Sequence, residues 1–372
     1  MTRNYIFFLV LIFLCTKSVL SQGTAGFFDD RNFFYGYSDG NISKLEYIKI
    51  DTFVSSTNGI AYLDNVGNFK LFHKNKKYTI LPFPPDRVEM TNFLMAYSRG
   101  TFLGVFNGKE SKRIQAFFNG TYKVGDSLIA YLDNFNMLKV YTYDTVQDLM
   151  LFSISDSFSV SDNIVLFTYQ YSELRAFYRN QIMTIENYIP RNYKLARDII
   201  AYNDFLGNFK VFDKGETYTL ENYEIENYDV GNGFVAYTNN VGEWSVFSQG
   251  VKTSLLSTAP KTKQIKRNIL TYTDNSGRFY VFYKGKLTLL ENYSPKRVEV
   301  WDDIVAYEDL YGSVWGFYKG EKIKISKNIA INWNLQNQCV VYYDLAPSMK
   351  TVWNQGNYYF YSAKTDKMSN QE

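Results

Sequence analysis

Residues 269–285 read Ile-Leu-Thr-Tyr-Thr-Asp-Asn-Ser-Gly-Arg-Phe-Tyr-Val-Phe-Tyr-Lys-Gly, and they hold the grammar of the whole chain. A short apolar run ends in Tyr272. Asp274 stands two residues on, where its carboxylate can bond the backbone of a turn, and Gly277 follows, free to take positive φ. A second β-rich run, residues 279–282, leads to the tight turn at Lys284-Gly285, a strong local hairpin signal. The same order recurs along the chain. The run ending in Tyr returns at Tyr62, Tyr97, Tyr131, Tyr169, Tyr202, Tyr237, Tyr272, Tyr307 and Tyr342, in steps of 35, 34, 38 and 33 and then of 35 throughout. Asp follows the Tyr by two positions at Asp64, Asp133, Asp204, Asp274, Asp309 and Asp344.

Each unit holds two further runs of strand character, such as residues 217–220 and 226–230, so one unit is four short antiparallel strands. No stretch shows a helical period, and the strands are rich in Tyr, Phe, Val and Ile. Both faces of the run ending in Tyr are apolar. Its small residue recurs as Ala61, Ala96, Ala130, Ala201, Ala236 and Ala306. A small residue at fixed register lets neighbouring sheets approach closely, as radially packed sheets require. The reading is an all-β chain: a β-propeller of about nine 35-residue four-stranded units plus a half unit. An open β-repeat solenoid is the alternative.

The order of strand, Asp-opened turn, Val-Ala-Tyr-like strand, aromatic strand and Lys-Gly turn resembles the blades of TolB-like and YncE-like bacterial propellers. The resemblance covers nearly the whole chain after residue 21 and implies a propeller with a binding role. It transfers no functional residue.

The ends of the chain read differently. Arg3 precedes a ten-residue apolar run, residues 5–14, and Val19-Leu20-Ser21 ends in a small residue. That is the three-part pattern of a Sec-type signal peptide and is too short for a membrane span. The expected division is a signal peptide over 1–21, a repeat domain over 22–361 and a polar tail over 362–372, with the product periplasmic or secreted. Residues 34–40 align with 279–285, so the repeat domain starts in mid-unit. Terminal strands of a ring commonly share a blade with the opposite end, and that closure is expected here. No second apolar stretch approaches membrane length.

The whole chain carries 40 lysines and arginines against 37 acidic residues. Removing residues 1–21 takes Arg3 and Lys17 and leaves near balance, which argues against a nucleic-acid binder. Cys15 leaves with the signal. Cys339, among valines, reads as a buried structural thiol with no disulfide partner. His73 reads as an exposed histidine beside the Lys74-Asn75 turn. No phosphate loop, nucleophile elbow or metal-ligand cluster is present, and no cofactor is expected.

One column stands out. Eight residues before the Tyr, in the strand expected to line the axis, stand Glu89, Lys123, Lys194, Asp229 and Glu299, flanked by apolar neighbours. Period-two alternation explains a strand with one wet side, and the sharper reading is a polar channel that takes a ligand. Trp301 and Trp333 lie near strand ends, where exposed aromatics would stack on sugars or anchor a partner. The function expected is a non-catalytic, exported binding module of a bacterial envelope or secretome, directed at a protein. A carbohydrate-binding propeller is the alternative, and a polysaccharide lyase or glycoside hydrolase the weaker one.

Overall fold

The computed structural model describes residues 23–142, 144–150, 158–170, 172–344, 349–362 and 369–371. The expected signal peptide and most of the polar tail lie outside the described residues. Among them there is no helix; every element is a strand. The strands form nine antiparallel sheets, the last of which divides at one long strand into two successive units, so that the chain has ten successive units, here called blades. Blade 1 spans residues 24–46, blade 2 53–81, blade 3 87–115, blade 4 118–148 and blade 5 158–186. Blade 6 spans 192–221, blade 7 228–256, blade 8 262–291, blade 9 297–329 and blade 10 330–371. The strands of each are called inner, second, third and outer in chain order. One 16-residue strand, Glu321–Gln336, is the outer strand of blade 9 and then the inner strand of blade 10.

The inner strands of successive blades are neighbours and line a central axis. The ring is closed, not an open solenoid. Ala25, Phe27 and Tyr37 of blade 1 share one buried cluster with Cys339, Val341, Val352 and Tyr361 of blade 10. Closure is not by a shared blade, as expected from the sequence, because each end keeps a sheet of its own. The half unit is a blade of its own, three strands of which fall among the described residues. Ala25-Gly26-Phe27 is a tenth copy of the run ending in Tyr, with Phe for Tyr and Asp29 in the turn. Ser369–Gln371, in the polar tail, pairs with Asn357–Ser362 as a fifth strand of blade 10.

Pairing register also moves one anchor. Phe167, opposite Phe158 and Arg175, occupies the place that Tyr202 takes opposite Tyr193 and Lys210. The repeat equivalent in blade 5 is therefore Phe167 rather than Tyr169, and the uneven steps of 38 and 33 become 36 and 35.

The repeated residues are accounted for by three bonds. Asp64 Oδ1 accepts from the amides of Val66 and Asn68 at 3.0 and 2.8 Å, pinning the turn between second and third strands from inside. Asp133, Asp274 and Asp309 do the same. The anchor tyrosines are buried, and the hydroxyls of Tyr62, Tyr202, Tyr237 and Tyr307 donate to a glutamate sixteen residues earlier, on the preceding blade. Tyr202 reaches Glu186 at 3.0 Å and Tyr307 reaches Glu291 at 2.7 Å. Lys210 then joins Glu186 to Asp204 at 2.8 and 3.0 Å. A buried hydroxyl left unpaired would cost about 1–3 kcal/mol, so this network binds neighbouring blades as well as satisfying them. The alanine column is buried, with Ala130 in one cluster with Val165 of the next blade.

Candidate functional site

The predicted channel residues lie on the inner strands, partly exposed, and each also reaches a neighbouring blade. Glu89 Oε2 accepts from the Val124 amide at 3.1 Å. Lys123 Nζ donates to the Phe158 carbonyl at 2.5 Å, and Lys194 Nζ to that of Tyr228 at 2.5 Å. Glu299 Oε2 accepts from the Leu335 amide at 2.6 Å. Asp229 is bonded by Lys194 at 3.2 Å and Lys263 at 2.5 Å. An inner strand has one backbone edge with no strand beside it, and such an edge needs covering. Glu89, Lys123, Lys194 and Glu299 cover it. Of the five, only Lys194 and Asp229 are bonded to each other among the described residues.

The two tryptophans depart from the expectation of exposed rim aromatics. Trp333 is 2 % exposed. Its Nε1 donates to Glu308 at 3.2 Å, and the Arg297 guanidinium lies 4.3 Å from its ring centroid. It sits on the apolar side of its strand, between blades 9 and 10, so no sugar ring can stack on it. Trp301 is half-buried in the same cluster, with Lys266 Nζ 5.3 Å from its ring. His73 is likewise buried, not exposed. It is the last residue of its strand, its Nδ1 meets the Asn58 carbonyl and its ring packs edge-on to Phe106. Cys339 is buried, and burial pushes its thiol well above the usual range.

The sequence reading missed what closes one end of the axis. The turns between inner and second strands converge there. Arg267 of blade 8 reaches across to blade 4, its guanidinium bonding both oxygens of Asp126 at 2.7 and 3.1 Å, and it also bonds Asp162 of blade 5 at 3.2 and 3.3 Å. Arg197 stands 3.5 Å from Asp126 and 3.4 Å from Asp162. Asn92 of blade 3 donates to Asp302 of blade 9 at 3.3 Å, and Asn268 donates to the same carboxylate at 2.6 Å. Side chains from opposite sides of the ring therefore meet. The available signal was Asp, Asn or Arg at every one of these turns, which looks like ordinary turn chemistry until the ring brings the turns together.

Burial, with Asp303 alongside, raises the Asp302 carboxyl to about 6. Asp162 is also raised, by burial and by Asp126 beside it. The sign follows. A folded pKa above the unfolded one gives stability that is full below about pH 4 and is lost as pH rises through about 6. Asp302→Asn is therefore expected to remove that slope and to stabilise the protein at pH 7.5 by on the order of 2 kcal/mol, with no gain at pH 4. Urea unfolding at the two pH values checks it.

On the same side, clefts open between the blades. One of about 320 Å³ is lined by Arg197, Lys214, Asn232, Asn268 and Lys284, and one of about 390 Å³ by Asn163, Tyr178, Arg179 and Asp198. Tyr178, Asp213 and Asn354 each end a third strand on this side, and each buries a side-chain oxygen without a protein partner. Together with the charged and amide side chains that line the clefts, they make this the polar side of the ring. Among the described residues no group of three His, Cys, Asp or Glu could hold a metal ion. No helix there is long and apolar enough to cross a membrane.

The other side of the ring is apolar at its tips. The turns pinned by Asp or Asn present Val66, Phe135, Leu206, Val241 and Tyr311, which are 73, 68, 80, 78 and 82 % exposed. The connections between blades add Tyr47, Phe83, Phe117 and Tyr188, all exposed. Tyr188 of one connection and Phe205 of the next blade's turn lie with ring centroids 5.7 Å apart. Their sequence signal was an apolar residue before the turn glycine, as in Val66-Gly67 and Leu206-Gly207, where polar residues are usual.

Likeness to solved structures is spread thinly. The chain is similar to the computationally designed Ika8 protein, at 13% identity over 72% of this chain and 96% of that one, with a TM-score of 0.34. It is similar to BamB from Moraxella catarrhalis at 8% identity, over 69% and 90% of the two chains, with a TM-score of 0.32. It is also similar to Prp20p from Saccharomyces cerevisiae, whose structure was described with its binding to Gsp1p and histones, at 10% identity over 54% and 72%, with a TM-score of 0.32. No curated protein matches it in sequence. A family model described as a 10-bladed beta propeller domain matches residues 18–359. With ten blades in a closed ring, and that match over nearly its whole length, the chain belongs to the 10-bladed beta propeller domain family.

Proposed function

We propose that the protein is a non-catalytic interaction module that holds a protein partner on the side bearing Val66, Phe135, Leu206, Val241 and Tyr311. One observation carries this reading: an exposed apolar side chain at the tip of the same pinned turn in five blades. The turn is fixed by its own carboxylate or amide, as at Asn239, which accepts from the Val241 and Glu243 amides at 3.1 and 2.9 Å. A preorganised apolar tip loses little conformational freedom on binding, and exposed apolar patches of this kind mark interaction sites. The proposed setting is a bacterial envelope or the secretome. It is supported by the charged and apolar pattern of residues 3–21 and by the likeness of the blade grammar to TolB-like and YncE-like propellers.

The test replaces Val66, Leu206 and Tyr311 together by Asp. Being exposed, they should change stability by no more than about 0.5 kcal/mol each. Chemical cross-linking in envelope extract should give a discrete adduct with the parent chain and lose it with the variant. An adduct of undiminished yield would sink the reading. A carbohydrate reading is favoured by one observation only, the Tyr188–Phe205 pair. Binding to a glycan array that disappears on Tyr188→Ala would put it first.

A further inference from the structure

On the polar side of the ring, the residue that ends the turn between inner and second strands ties one blade to the next. Asn58 Nδ2 donates to the Phe93 carbonyl at 3.0 Å. Ser127 Oγ donates to Asn163 Oδ1 at 3.0 Å, and Asn163 Nδ2 to Asp198 Oδ1 at 2.8 Å. Asn268 Nδ2 donates to Asp303 Oδ1 at 2.8 Å. Between Asp198 of blade 6 and Asn268 of blade 8 the residue is Gly233, which has no side chain to offer. The cleft of about 320 Å³ lies there. A Cβ at Gly233 would stand more than 4 Å from every atom beyond its chain neighbours. Beside it, Asn232 accepts from the Arg197 amide through Oδ1 at 3.1 Å, and its Nδ2 is enclosed without a protein partner.

We propose that this cleft binds a neutral polyhydroxylated molecule about the size of one sugar ring. The charges around it balance. Arg197 is held by Asp126 and Asp162, which leaves Lys214 and Lys284 against Asp198 and Asp303. An anion would meet both carboxylates, and a cation both ammonium groups. A hydroxyl donates and accepts at once. Neighbouring hydroxyls of one ring can accept from the lysines and from Asn232 Nδ2. The same hydroxyls can donate to the carboxylates and to Asn268 Oδ1, whose own amide group is turned to Asp302 and Asp303. Phe234 and Phe282, with ring centroids 5.7 Å apart, line the apolar part of the cleft, where the C–H face of such a ring can rest. Ligand cavities commonly measure about 300–1,000 Å³, so a cleft at the low end of that range suits a small molecule. The site lies on the opposite side of the ring from the apolar tips, so a protein partner held there leaves it accessible.

Calorimetric titration of the whole chain tests this, with D-glucose, D-galactose, N-acetyl-D-glucosamine and myo-inositol as probes and inorganic phosphate and glycine as charged controls. At least one of the polyols is expected to bind with a Kd of about 1 mM or lower. Gly233→Asn puts a side chain into the cleft and should weaken that binding at least about tenfold. Asn is among the residues that tolerate the φ of +76° found there, so the same variant should lower Tm by no more than about 4 °C. Lys214→Ala and Lys284→Ala, at exposed positions, should each weaken binding by about two- to tenfold, the worth of one hydrogen bond, with Tm unchanged. Binding of phosphate or glycine and of no polyol would overturn the class of ligand. Binding of none of the probes, or polyol binding that Gly233→Asn leaves intact, would overturn the site.

Discussion

Arg267→Ala is expected to destabilise the ring by about 3–5 kcal/mol at pH 7.5, the cost of leaving buried charges without their partner. Arg267 bonds Asp126 and Asp162 together, and the Asp126 side chain is 4% exposed. Arg197 remains, but at 3.4–3.5 Å and with its own side chain 36% exposed. The loss should depend on pH. Burial and Asp126 already hold Asp162 above the usual carboxylate range, and Arg267 is the first opposing influence. Removing it pushes the carboxyl further up, so the folded variant binds protons more tightly than its unfolded chain. Its stability is then fully present at low pH and is lost as pH rises. Urea unfolding of parent and variant at pH 7.5 and pH 4.5 should show a large deficit that shrinks on acidification. A deficit independent of pH would mean that Arg267 acts by packing alone.

Leu166→Ala should cost about 2–5 kcal/mol, and a second substitution should return part of it. In most blades a small residue of the second strand faces a larger one of the third: Ala61 with Leu71, Ala130 with Val140, Ala201 with Val211, Ala236 with Val246. Blade 5 reverses the pair, with Leu166 opposite Ala176. Both are fully buried. Leu166→Ala opens a cavity, and Ala176→Val alone overfills the site at about 1–3 kcal/mol. Together they restore the arrangement of the other blades. The double variant should be more stable than the sum of the two losses predicts, by about 1 kcal/mol or more. Additive losses would show that the facing blade, not the cross-strand partner, sets the size.

The unit, the ring and the Asp-pinned turn were legible because each rests on bonds spanning a few residues, repeated at a fixed step. The tenth blade was not, because Phe27 replaces Tyr and the small residue before it is Gly26. Tyr169 drew the blade 5 anchor two residues out of place, and only pairing opposite Phe158 and Arg175 restores Phe167. Period two identified the polar side of the inner strands correctly at Glu89, Lys123, Lys194, Asp229 and Glu299. It could not say that Glu89, Lys123, Lys194 and Glu299 meet the next blade's backbone, a relation between residues about 35 apart. His73 and Trp333 misled for a related reason. Position near a turn or strand end suggests exposure, yet in radially packed sheets even a strand's last residue is enclosed by its neighbours. The meeting of Arg267 with Asp126 and Asp162 spans 141 and 105 residues and leaves no local trace.

Neighbouring blades are joined by bonds between residues 16 to 37 apart, such as Tyr202 to Glu186 and Asn107 to Asp144, whereas the seam between blades 10 and 1 is held by bonds spanning 310 to 332 residues. Chain order and spatial order therefore coincide everywhere except at one place. Assembly of such a chain can proceed as a zipper, each blade docking on the one made just before it, with little loop entropy to overcome at any step. Between neighbouring blades the seam is the one long loop to be closed. It is also where opening should begin, which makes Gln336, Asn337 and Lys350, each bonded to the backbone of blade 1, the latch on which the cooperativity of the ring depends.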